Sequence, residues 1–91
     1  VSPNDIDYSY QPFIVTKWLG QTDKRPSRVK ATNLTSGAYV VISWDHAFDA
    51  PQNHMRAAQA LYRKLELDMP KAFLACGTKN SDGYILTAKE G

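Results

Sequence analysis

Cysteine occurs once in these 91 residues, as Cys76, so no internal disulfide can form and a reducing, cytoplasmic setting is expected. Small folds that depend on disulfide staples are excluded. No apolar run approaches the roughly 20 residues that cross a bilayer as a helix, and no charged stretch leading into an apolar one opens the chain. No membrane partner is expected. Histidine is scarce as well: His46 and His54 are the whole complement, they lack HExxH spacing, and no second cysteine completes a zinc set. Neither a metal nor a cofactor is anticipated. A phosphate-cradling P-loop, a dinucleotide fingerprint and a GxSxG elbow are all missing, which leaves catalysis without an anchoring motif. Repeats and low-complexity tracts are missing too. Eleven Lys and Arg against nine Asp and Glu leave a net charge of +2, too small to mark a polyanion-binding protein by its total alone.

What is present is the composition of an ordinary globular chain, 43% apolar and 22% charged, with the length of one small domain. The chain opens on Val1 rather than Met, consistent with a removed initiator or leader. Residues 1–12 are polar and follow neither hydrophobic period, so they read as a loosely held leader, with Tyr8 and Tyr10 able to dock it on a sheet. Residues 13–91 form the domain. Its most definite element is a helix over Asp49 to Leu67: Asp49 caps it, Gln52 completes a capping box, and Pro51 fits the first turn. Met55, Ala58, Leu61, Tyr62 and Leu65 share one stripe at 100° per residue, and Arg56, Gln59, Arg63 and Glu66 lie opposite. Met69-Pro70 is the expected stop.

Before the helix, Phe13 to Leu19 is rich in β-branched and aromatic residues, Ser27 to Thr32 alternates polar with apolar, and Ala38 to Trp44 sets Ala38, Val40, Ile42 and Trp44 on one face. These are three strands of an antiparallel meander. After the helix, Ala72 to Gly77 and Tyr84 to Ala88 flank the Asn80-Ser81-Asp82-Gly83 turn signal and make a second hairpin. The expected fold is α+β, a mostly antiparallel sheet of β-β-β-α-β-β order with one amphipathic helix packed on one face. The opposite face is then open to a partner or a second copy.

Two groups of residues are candidates for chemistry. From Lys17 to Lys30 the cations Lys17, Lys24, Arg25, Arg28 and Lys30 meet only Asp23, and Lys24, Arg25, Arg28 and Lys30 sit where a hairpin could present them to phosphates. Solvated charge is the plain alternative. Trp18 and Tyr39 are expected on neighbouring strands as stacking platforms, although Trp18 also suits a core. The second group is Asp45, His46 and His54, a conceivable acid–base cluster. Against it, His54 suits a core histidine that hydrogen-bonds the Trp44-to-Phe48 loop and pins strand to helix. Cys76 in AFLACG reads most simply as a small buried hydrophobe.

The run Ile14-Val15-Thr16-Lys17-Trp18-Leu19-Gly20, then Thr22, Arg25-Pro26-Ser27-Arg28-Val29-Lys30-Ala31, and later Asn53-His54 with Ala57-Ala58 and Leu61, resembles a family of small uncharacterised proteins of phages, plasmids and other mobile elements. The resemblance spans roughly residues 13 to 88. It implies an accessory role in mobile DNA and directs attention to Thr22, Arg25, Arg28, Lys30 and His54, without implying an activity. The expectation is a non-enzymatic domain that binds DNA or RNA through Lys24, Arg25, Arg28 and Lys30. A protein-interaction module using the open sheet face, for a host factor or a homodimer, is the alternative, and a small enzyme built on Asp45, His46 and His54 is the third.

Overall fold

The computed structural model describes residues 13–77 and 83–89. The leader with Tyr8 and Tyr10, and the turn residues 80–82, lie outside them. Five strands, β1 (Phe13–Leu19), β2 (Arg28–Asn33), β3 (Tyr39–Ser43), β4 (Ala72–Gly77) and β5 (Gly83–Lys89), form one sheet with a single helix α1 (Ala50–Lys64) between β3 and β4. The lateral order is β3-β2-β1-β5-β4, and every neighbouring pair is antiparallel. The α+β architecture read from the sequence is the one observed.

Register sorts the side chains because a strand alternates faces at every residue. Ile14 pairs with Asn33 and Leu86, Thr16 with Ala31 and Tyr84, and Val29 with Ile42, so these residues look to one side, where α1 lies. Ile14, Val29, Ala31 and Leu86 from the sheet meet Ala57, Ala58, Leu61 and Tyr62 from the helix in the core. Two alanines on the helix allow it to sit close to the sheet. It lies over β1, β2 and β3, touches β5 less, and meets β4 through Tyr62, whose ring is edge-on to Phe73 at 5.3 Å between centroids.

The helix opens as its sequence dictates. Asp49 Oδ1 accepts from the Gln52 N–H at 2.9 Å while Gln52 Oε1 accepts from the Asp49 N–H at 3.1 Å, a reciprocal capping box. Its end differs from expectation. The last helical residue is Lys64, well before Pro70, and Glu66 adopts a left-handed φ of 56°. The Leu67 N–H donates to the Tyr62 carbonyl and the Glu66 N–H to the Arg63 carbonyl, which together close a Schellman motif. The carbonyls of Tyr62 and Arg63 are thereby satisfied by the chain turning back on itself. The buried stripe is also displaced: Asn53, His54 and Ala57 are inside, whereas Met55 is 37% exposed.

Candidate functional site

Phe13, Val15, Lys17 and Leu19 of β1 face away from the helix, as do Arg28, Lys30 and Thr32 of β2, Tyr39, Val41 and Ser43 of β3, Leu74 and Cys76 of β4, and Ile85 and Thr87 of β5. Among the described residues no element covers them. The register arranges this open face in rows. Lys17 stands directly opposite Lys30, whose other neighbour is Val41; Leu19 opposes Arg28, which opposes Ser43. Val15, Thr32 and Tyr39 form the next row, continued across β5 and β4 by Ile85 and Cys76. None of these face residues is acidic. The side over β1 and β2 is cationic, and the side over β5 and β4 is mainly apolar through Leu74, Cys76 and Ile85, with Lys89 opposite Ala72 at the end of β5.

Like charges directly opposite each other destabilise an antiparallel pair. The Lys17–Lys30 pairing sets two cationic residues across from each other, and Lys30 carries its ammonium toward β3, 4.5 Å from the Tyr39 ring centroid. Arg28 adds a third cation to the face, half-buried, with its Nε sealed from water and without an acceptor among the described residues. The loop between β1 and β2 carries Lys24 and Arg25, both exposed. Thr22 organises it: Thr22 Oγ1 accepts from the Arg25 N–H at 3.1 Å and the Lys24 N–H at 3.4 Å, and the Thr22 N–H donates to the Arg25 carbonyl at 2.8 Å.

Arg28 and Lys30 thus share the open face, and Lys24 and Arg25 stand at the adjoining hairpin end. Lys17 belongs with them. Its signal was present in the period-two alternation Phe13, Val15, Lys17, and only the pairing across the hairpin turns that alternation into a shared surface. Trp18 and Tyr39 do not form a joint platform: Trp18 lies on the helix side of β1, Tyr39 on the open side of β3, and β2 runs between them. Tyr39 is 51% exposed, with Lys30 Nζ 4.5 Å and Lys64 Nζ 5.4 Å from its ring centroid.

The histidines take separate surroundings. His54 is buried, with Nδ1 2.7 Å from Thr16 Oγ1, and its ring is edge-on to Tyr84 and Trp44 at centroid distances of 5.0 and 5.8 Å. Thr16 Oγ1 also accepts from the Tyr84 N–H at 3.2 Å, so one hydroxyl joins helix, β1 and β5. The bonds expected from His54 to the Trp44-to-Phe48 loop are made by Asn53. Its Oδ1 accepts from the Asp45 N–H at 2.9 Å, and its Nδ2 donates to the carbonyls of Asp45, Phe48 and Asp49 at 2.9, 3.2 and 3.1 Å. Asp45 Oδ1 accepts from the Ala47 N–H at 2.8 Å in a local turn, and His46 is exposed. Asp45, His46 and His54 are thus directed to three different settings. Among the described residues no group of three His, Cys, Asp or Glu side chains is arranged to hold a metal ion.

Cys76 is exposed rather than buried. The cysteine occupies the open side of the edge strand β4, opposite Ile85 and away from the helix. Tyr62 in the core is displaced from the ordinary range of a phenol. Burial raises its phenol above the usual value of 10.0, and its hydroxyl has no partner among the described residues. Asn33 is buried, with Oδ1 accepting from the Thr35 N–H at 2.9 Å.

No family model, curated protein or solved structure matches the chain.

Proposed function

We propose that this chain is a non-enzymatic nucleic-acid-binding domain whose contact surface is the open sheet face with its β1–β2 loop, and that it serves as an accessory protein of mobile DNA. The reading is carried by the Lys17–Lys30 pair. Two lysines opposed in register, joined by Arg28 on a face whose described residues include no carboxylate, form a concentration of positive charge that a chain with a net charge of only +2 does not otherwise display. A phosphate backbone would neutralise it. Lys24 and Arg25 extend the same field beyond the sheet's end.

Fluorescence anisotropy with labelled DNA and RNA, read over a salt series, tests the proposal. Five phosphate contacts on a single strand give a slope of log K against log salt of roughly −3.5. The variant Lys17→Ser/Arg28→Ser/Lys30→Ser, with an unchanged circular dichroism spectrum, is expected to lose three contacts, bringing the slope to roughly −1.4 and binding to near zero at 150 mM salt, on the order of a physiological level. Undiminished binding by that variant overturns the proposal.

A second reading, self-association, has its own support. Strand β4 is an outer strand, its sequence Ala72–Gly77 carries no charge or proline, and Leu74 on it is 53% exposed. Natural edge strands are usually blunted by charge, bulges or cover. At the opposite edge Lys64 Nζ donates to the Tyr39 carbonyl at 2.7 Å, so β3 is partly closed while β4 has no such guard among the described residues. Light scattering after gel filtration discriminates: a doubled mass that Leu74→Lys returns to monomer supports pairing through β4, and a monomer at every concentration sinks it.

A further inference from the structure

We infer that the nucleic acid is single-stranded and that Tyr39 is the platform on which one of its bases stacks, an inference that rests on the nucleic-acid reading above. Width decides against a duplex in the first place. Five strands about 4.8 Å apart make a floor about 19 Å across, wider than the roughly 12 Å of a major groove, so the face that carries Lys17, Arg28 and Lys30 cannot enter one. The cations also lie on the floor. Lys17 is on β1, the central strand of the sheet, and Lys30 on its neighbour.

A flexible strand can lie along such a floor. Its bases are unpaired and able to turn a π face toward the protein, which a duplex cannot do without first unstacking. Tyr39 offers the matching ring. It is half exposed on the same face, in the row next to the Lys17–Lys30 pair, and two ammonium groups lie within 6 Å of its centroid. Lys64 is held there by its bond to the Tyr39 carbonyl, whereas Lys30 is in contact with the ring itself. A phosphate drawing Lys30 toward the backbone would uncover the ring as it arrives. An exposed ammonium on an aromatic ring is worth less than a stacked base, so the exchange favours the nucleotide. Phe13, also exposed on this face and two strands away, is the next ring that a strand crossing the sheet would meet.

The test is fluorescence anisotropy at one fixed low salt with three probes: a fluorescein-labelled DNA 12-mer of mixed sequence, the same length made of abasic residues, and the 12-mer annealed to its complement. The parent protein is expected to bind the base-bearing single strand at least tenfold more tightly than either of the others. Tyr39→Ala, with an unchanged circular dichroism spectrum, is expected to lose about tenfold on that probe alone, and Tyr39→Trp to retain or improve binding. Equal binding of the abasic and base-bearing strands, a preference for the duplex, or an unaffected Tyr39→Ala overturns the stacking inference and leaves the charge-based reading standing. Absence of binding to all three probes, or full binding by Lys17→Ser/Arg28→Ser/Lys30→Ser, overturns both.

Discussion

Tyr62 is a large side chain in the core whose hydroxyl finds no acceptor among the described residues, and an unpaired buried donor costs about 1–3 kcal/mol. Tyr62→Phe removes that hydroxyl and keeps the ring against Phe73. Urea unfolding is expected to show a gain of about 1 kcal/mol. The same residue gives a pH dependence. Burial raises the folded-state phenol above 10.0, so as pH climbs through 10 the unfolded chain releases its proton before the folded one does. Fewer protons are then bound in the unfolded state and stability falls with rising pH. The parent should lose stability above pH 10, and Tyr62→Phe should lose this part of the slope.

Gly83 is a second residue whose identity is fixed by space. A Cβ there would lie 1.8 Å from the Thr16 carbonyl oxygen, so β5 approaches β1 more closely than any other residue permits. Gly83→Ala is expected to cost at least the upper end of the about 1–3 kcal/mol typical of overpacking, measurable as a lowered melting temperature. In the sequence Gly83 was legible only as the end of a turn signal, because its partner in space is 67 residues earlier, the separation of positions 16 and 83. His54 was legible as a core histidine. Its partner was not: Thr16 is one of many hydroxyls, and only the packing of α1 on β1 brings it to the ring. Asn53, which makes the loop bonds, is adjacent in sequence to the residue to which they had been assigned.

At the level of single elements the chain declares itself well wherever the signal is local. The five strands fall within one or two residues of the hydrophobic alternation, and the capping box at Asp49 and Gln52 forms as their spacing requires. The helix end was misplaced because proline marks where a helix cannot continue, not where it stops. Here the left-handed turn at Glu66 ends it first, and no side-chain preference announces that turn. Non-glycine residues pay about 1–2 kcal/mol for that conformation. Glu66→Gly is therefore expected to stabilise the domain by roughly 1 kcal/mol in thermal or urea unfolding, with Glu66→Val moving the other way.

Across the whole molecule the helix is set to one side of the sheet, over β1 to β3, and the burial of apolar groups is correspondingly uneven. β2 alternates buried and half-buried residues along its whole length, whereas β4 is exposed at all but Phe73. Local opening should follow that gradient. Amide hydrogen exchange is expected to reach the global unfolding limit in β1 and β2, with β4 exchanging orders of magnitude faster; uniform protection across the five strands would contradict it. The face that the helix leaves bare was anticipated from the single helix in the element order. Its division into cationic and apolar halves was not, since it depends on β5 lying beside β1.

That neighbourhood bears on biosynthesis. With lateral order β3-β2-β1-β5-β4, three of the four strand pairs join consecutive strands, and only the pairing of β1 with β5 closes a long loop. Strand β1 thus keeps one flank unsatisfied until β5 leaves the ribosome, and during that interval it is a template for wrong partners. Loop-closure entropy makes this final docking the slow event, and slower translation of the C-terminal hairpin would lengthen the period of risk.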